Sequence, residues 1–194
     1  YRVVKNNIQH TQIRDNMPPD RFNLLLQRAP YMSYVGRKNP ADQNGPILLV
    51  TPSEKPCQFY KVDKDTWVKQ TTEEIRKYTN RQIIIREKGL RPDRIKEHSV
   101  AAQCFKQSIH AVVTYQSMAA LEAMHYGIPA FTMATCCGDS VTNKDIANIE
   151  KPFYPEARVF QNLLNYLAYC QYTVAEFNKG HAYKMIEEME LYDK

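Results

Sequence analysis

Residues Ala111 to Met133, AVVTYQSMAALEAMHYGIPAFTM, constrain this chain most, because they read as strand, tight turn, small-residue helix, turn and strand. Ala111-Val112-Val113-Thr114-Tyr115 is a short apolar, β-branched run suited to a buried parallel strand, and Ile128 to Met133 is a second. A helix of about ten residues is expected between them, opening at Ser117 as N-cap and closing at Gly127, with Pro129 beyond where no helix continues. Ala119, Ala120 and Ala123 let that helix lie close on a sheet, and Met118, Leu121 and His125 form an adjoining stripe. Strand, crossover helix and strand make a right-handed unit whose ligands bind at the carboxyl ends of the strands. Thr114, Tyr115, Gln116 and Ser117 belong on that edge, where helix N–H groups suit a phosphate, and Glu122 follows one and a half turns in. A capping role for Ser117 and a solvated Glu122 fit the same pattern.

The rest of the chain continues the α/β order. Gly45-Pro46 opens the strand Ile47 to Thr51, and Pro52 to Pro56 is expected as the turn at its carboxyl end, with Ser53 and Lys55 facing the same cleft as Ser117. Asp63 to Tyr78 reads as an amphipathic helix with Trp67, Ile75 and Tyr78 inward, Gln82 to Arg86 as a strand, and Val100 to Gln107 as a short helix. Residues 134 to 155 form a polar segment that starts beside the ligand edge, with Asp139, Ser140, Asn143 and Asp145 as candidate donor contacts or as caps, and two helices close the chain, Glu156 to Tyr172 and Val174 to Tyr192. In the first 44 residues Tyr1 to Val4 suggests an edge strand, Asp20 to Gln27 a helix, and Tyr31 to Asn44 a linker. The fold expected is a Rossmann-like parallel sheet with flanking helices plus C-terminal helices, divided as an arm over 1–44 and a nucleotide-binding domain over 45–194.

The segment SMAALEAMHYGIPAF, with VVTYQ before it, resembles the donor-binding half of GT-B glycosyltransferases: a Ser- or Gly-rich turn, a helix carrying Glu-Ala, then Gly-x-Pro and a strand. Kdo-type and capsule-polysaccharide transferases share this form, and phage-encoded proteins of glycosyltransferase type are similar also over Asp145 to Pro152 and Leu167 to Tyr183. The likeness covers most of residues 46 to 190. It implies a nucleotide-sugar donor whose phosphates meet Ser117 and the N–H groups after it, and whose ribose hydroxyls meet Glu122, since one carboxylate accepts from two vicinal hydroxyls. It also implies a metal-independent transfer without a cofactor, cations neutralising the departing phosphate. Many relatives carry Arg-x-His-Pro after the second strand. This chain has Ile85-Arg86-Glu87-Lys88-Gly89-Leu90-Arg91-Pro92, so a role for that histidine does not transfer.

Charge enters at this point. The net charge is +5 with a pI near 8.9, and Arg81, Arg86, Lys88, Arg91, Arg94 and Lys96 concentrate it around one strand. Such a run suits a donor pyrophosphate, a polyanionic acceptor or a solvated loop. Five cysteines without CxxC spacing argue for reduced thiols, a cytoplasmic setting and no metal. No apolar run is long enough to span a membrane, and no signal peptide is visible. A GT-B enzyme has two Rossmann-like halves and 194 residues hold one, so a missing N-terminal half or a homo-oligomer is the expected partner. The acceptor is open between a modified base in phage DNA, in the host cytoplasm, and a surface polysaccharide or lipid-linked glycan. A non-catalytic nucleotide or nucleic-acid binding module and a nucleotide-sugar epimerase are the readings from other classes.

Overall fold

The computed structural model describes residues 13–28, 44–87 and 100–188. Two compact units result: Tyr34–Tyr154, which holds the sheet, and a helical unit of Tyr1–Ser33 with Pro155–Lys194, so the closing helices group with the first helix.

The sheet unit carries four parallel strands, β1 (Ile47–Val50), β2 (Ile83–Arg86), β3 (Ala111–Thr114) and β4 (Ala130–Thr132), in the spatial order β2-β1-β3-β4. Val50 lies in register with Arg86 on one side and Thr114 on the other, and Thr114 with Thr132, so these four residues form the carboxyl-terminal row. Alternation splits the sheet into two faces. Ile47, Leu49, Ala111, Val113 and Phe131 build one core with Trp67 and Ile75, and with Ile146 and Ile149 around a short 3-10 turn, Ile146–Asn148. The chain is Rossmann-like α/β, as the β-branched runs dictate.

Helices join the strands. The first helix in the chain, α1 (Asp20–Arg28), belongs to the helical unit; in the sheet unit α2 (Glu54–Tyr60) and α3 (Lys64–Arg76) follow β1, α4 (Val100–Lys106) precedes β3, and α5 (Ala119–His125) joins β3 to β4. Helix α2 replaces the expected turn at Pro52 to Pro56. Pro56 is its third residue, where a missing N–H costs nothing because the first turn has no intrahelical acceptor for it. Helix α3 is capped by Asp63, which accepts from Thr66 N–H at 2.8 Å, and it stops at Arg76. Tyr78 therefore falls in the following turn, 43% exposed, and is not the core contact expected of it. Helix α5 spans seven residues, shorter than the sequence suggests. Its end is as read: Gly127 has φ 73°, its N–H donates to Met124 O and Ile128 N–H to Ala123 O, the paired bonds of a Schellman motif. Leu121 and His125 are buried, whereas Met118 is exposed and leaves the stripe.

The helical unit contains α1, α6 (Ala157–Tyr169), α7 (Val174–Asn178) and α8 (His181–Glu188). The single last helix expected over Val174 to Tyr192 is broken at Gly180, where φ is 74°. Thr173 and Glu176 make a reciprocal capping box at the start of α7. The proposed strand Tyr1 to Val4 and almost all of the linker lie outside the described residues.

The amino edge of the sheet is held by a polar clasp. Arg81, just before β2, grips both carboxylate oxygens of Glu150 at 2.9 Å and donates to Gly45 O at 3.0 Å, and Thr79 Oγ1 also donates to Glu150. Beside it the buried His110 meets Ile149 O through Nε2 at 2.7 Å, so Nε2 carries the proton. Burial, first, and Arg81 hold the His110 pKa below its ordinary value. Its imidazole is neutral in the fold, while the unfolded chain takes up a proton near pH 6.5. The stabilisation is therefore complete above that pH and is lost as pH falls toward the folded value. Urea midpoints should decline from pH 7 to pH 5, and His110→Gln, which keeps a donor but does not titrate, should flatten that decline. An equally steep slope in the variant would remove His110 as its source.

Candidate functional site at the strand-order reversal

The chain steps outward from β1 to β2 and then returns to place β3 on the other side of β1. In an open α/β sheet such a reversal opens a crevice at the carboxyl ends of the two inner strands, because their following loops diverge to opposite faces. Here those loops are Thr51 to Ser53 after β1 and Tyr115 to Met118 after β3. Ser53 and Ser117 thus lie on the same edge, on the two loops flanking the reversal.

Thr114 ends β3 fully buried, and neither its hydroxyl nor the buried Gln116 Oε1 has a hydrogen-bond partner. Ser117 Oγ accepts from Ala119 N–H at 3.2 Å and Ser117 O from Ala120 N–H at 3.1 Å. The serine thus closes the turn that opens α5, and the first two N–H groups of that helix are engaged by it. Glu122 is half-buried in mid-helix. Ser53 precedes α2 in extended conformation with no capping bond from its side chain. Arg86, at the end of β2, reaches Gln103 on α4 through Nη1.

Two loop residues serve the fold. Asp139 accepts from Cys136 N–H at 2.9 Å and pairs with Lys144, and Asp145 caps the 3-10 turn by accepting from Ala147 N–H at 2.9 Å. Lys88 and Arg91, with Arg94 and Lys96, lie outside the described residues. Arg81 belongs to the opposite edge of the sheet from Arg86, so the basic run is not one patch. The Asp145 to Pro152 element runs from the Asp145 cap to the amino-edge clasp at Glu150.

Two features of this edge carry no motif. Lys144 ties the end of β4 together, donating to Thr132 Oγ1 at 2.7 Å and to Ala134 O at 3.3 Å. Tyr115 lies edge-on between Trp67 and Tyr60, each ring centroid 6.0 Å away, and Tyr60 meets Phe59 at 4.9 Å, so aromatic rings run from core to surface. Burial, then Tyr60 and Cys57, raise the Tyr115 phenol above its ordinary pKa, keeping it a neutral donor. The strand–turn–helix pattern puts Tyr115 on this edge, but neither its stacking nor the reach of Lys144 to Thr132 leaves a spacing signal. All five cysteines are free, and Cys136 and Cys137 are buried.

Among the described residues no three His, Cys, Asp or Glu side chains gather as metal ligands, and no helix is long and apolar enough to cross a membrane. Fold and edge together define an open, Rossmann-like sheet with its crevice at the β1/β3 reversal. No protein-family model, curated protein or solved structure matches the chain.

Proposed function

We propose that the β1/β3 reversal holds the nucleotide of an activated sugar, and that the protein is a glycosyltransferase of GT-B type or the donor-binding half of one. The observation that carries the reading is the strand order, which gathers Ser53, Thr114, Gln116, Ser117 and Tyr115 along the edge where open α/β sheets bind ligands. The sugar-nucleotide chemistry rests on the resemblance of the Ser117 to Phe131 segment.

In this reading Glu122 accepts from the ribose hydroxyls and Tyr115 offers a ring face to the base or sugar. The Ser117 hydroxyl turns from Ala119 N–H toward a phosphate, and Arg86, in the same carboxyl-terminal row but one strand beyond β1, supplies positive charge to that edge. No metal or cofactor is assigned a role. The acceptor is a modified base in DNA or a glycan, and the setting is the cytoplasm.

The test is thermal stabilisation by nucleoside diphosphates, CMP and nucleotide sugars. A selective ligand at about 100 times its dissociation constant stabilises by roughly 2.7 kcal/mol. Glu122→Ala should abolish the shift. A shift indifferent to Glu122, or none with any nucleotide, would overturn the reading. Steeply salt-dependent DNA binding without nucleotide binding would favour a nucleic-acid module instead.

A further inference from the structure

Thr114 and Gln116 lie two residues apart on the ligand edge, and each carries a buried oxygen that the fold does not bond. Val113 packs in the Trp67 cluster, so Thr114, next along β3, turns to the opposite face of the sheet and is 0% exposed there. Its neighbours in register offer no partner. Val50 is apolar, and Thr132 Oγ1 is already engaged by Thr142 Oγ1 at 2.8 Å and by Lys144 Nζ at 2.7 Å. Helix α5, which packs on β3 and β4, buries Ala119, Ala120 and Ala123, none of which has a polar side-chain atom. Thr114 Oγ1 and Gln116 Oε1 are thus without a hydrogen-bond partner among the described residues. A buried oxygen in that position works against folding, as a methyl or methylene of the same size would not. Polarity that costs stability, placed beside a crevice, points to a ligand.

We propose that these two oxygens read a hydroxyl of the transferred sugar, an assignment that rests on the crevice being the nucleotide-sugar site. Gln116 Oε1 can only accept, so its partner must carry a proton. An ionised phosphate oxygen carries none and cannot meet it. A sugar hydroxyl can donate to Gln116 and accept from Thr114 through a single oxygen, whereas a base N–H only donates. Glu122 takes the ribose hydroxyls in this reading, which leaves those of the sugar being moved. Thr114 and Gln116 are then specificity-determining residues: Ser117 and Glu122 hold any nucleoside diphosphate, and these two distinguish one that carries a sugar. A site built to bond a hydroxyl discriminates well, because a ligand lacking it leaves buried oxygens unpaired.

Two shape-conserving variants of the full chain, Thr114→Val and Gln116→Met, test this by urea unfolding and titration calorimetry. Each removes an unbonded buried oxygen and keeps the size of the side chain, so each should unfold at the wild-type urea midpoint or above it. Calorimetry compares UDP with UDP-glucose, GDP with GDP-mannose, and CMP with CMP-N-acetylneuraminate. For the pair that the wild type binds, affinity for the sugar form relative to the bare nucleotide should fall about tenfold in each variant, the scale of one lost hydrogen bond. A lowered midpoint in either variant would put its oxygen in the service of the fold, and an unchanged sugar-to-nucleotide ratio would take it out of the site. Either result overturns the assignment while leaving nucleotide binding by the wild type intact. A wild type that binds none of the six ligands would overturn the donor reading and this assignment together.

Discussion

Replacing Arg21 with alanine should cost the helical unit about 3–5 kcal/mol, the range for stripping one partner from a buried, fully bonded charge. Arg21 is 6% exposed, yet every part of its guanidinium is used. Nε donates to Ala168 O at 2.7 Å, Nη1 to Glu176 Oε1 at 2.8 Å and Nη2 to Gln171 O, while the group lies 4.7 Å from the centre of the Tyr172 ring. One side chain on α1 thus satisfies carbonyls at the end of α6 and a carboxylate in the first turn of α7. Alanine takes one donor from each of three acceptors, and Glu176, left with its bonds from Thr173, loses the main influence that lowers its pKa to about 2. Because that value is depressed, the Glu176 contribution is complete above pH 4.5 and fades as pH falls toward 2. The urea midpoint of the helical circular-dichroism signal measures the loss. Glu176→Gln, which keeps an oxygen for the capping box, should cost less. A loss below about 1 kcal/mol in Arg21→Ala would mean that water replaces these bonds without difficulty.

None of that network is visible in the sequence, since Arg21 and its acceptors lie 147 to 155 residues apart. What the sequence does express is local. The inner strands β1 and β3 announce themselves by apolar, β-branched runs buried on both faces, and the end of α5 by Gly127, whose positive φ the Schellman bonds require. The start of α5 is less legible, because Ser117 closes the preceding turn two residues before Ala119. Pro56 disguises α2, as proline reads as a turn until its place in a first turn is known. Ser53 and Ser117 sit at strand ends that any α/β reading finds. Strand order, which makes them neighbours, depends on which strands pair and leaves no trace in local pattern. Arg81 and Arg86 look like one cluster for the same reason: five residues of strand separate the two edges of a sheet.

Trp67→Ala should be as damaging as any change in the sheet unit, about 3–5 kcal/mol, and should also loosen the candidate site. Trp67 is buried in the core beneath β1, β3 and β4, packed with Ile75, Phe131 and Ile149. Its ring edge supports Tyr115, the first residue after β3, at 6.0 Å and 80°. Removing the indole opens a cavity and takes away one of the two rings that flank Tyr115, leaving Tyr60. Trp67→Phe keeps an aromatic ring in place and should recover most of the stability. Urea unfolding followed by circular dichroism serves both variants, because Trp67 is the sole tryptophan and its fluorescence disappears with it. The pair separates two roles. If Tyr115 contacts a bound nucleotide, Trp67→Phe should bind nearly as the wild type does, while Trp67→Ala, measured well below its unfolding midpoint, should bind about ten- to a hundred-fold more weakly, the scale of one lost aromatic stack. Equal binding by both would confine Trp67 to the core and remove Tyr115 from the site.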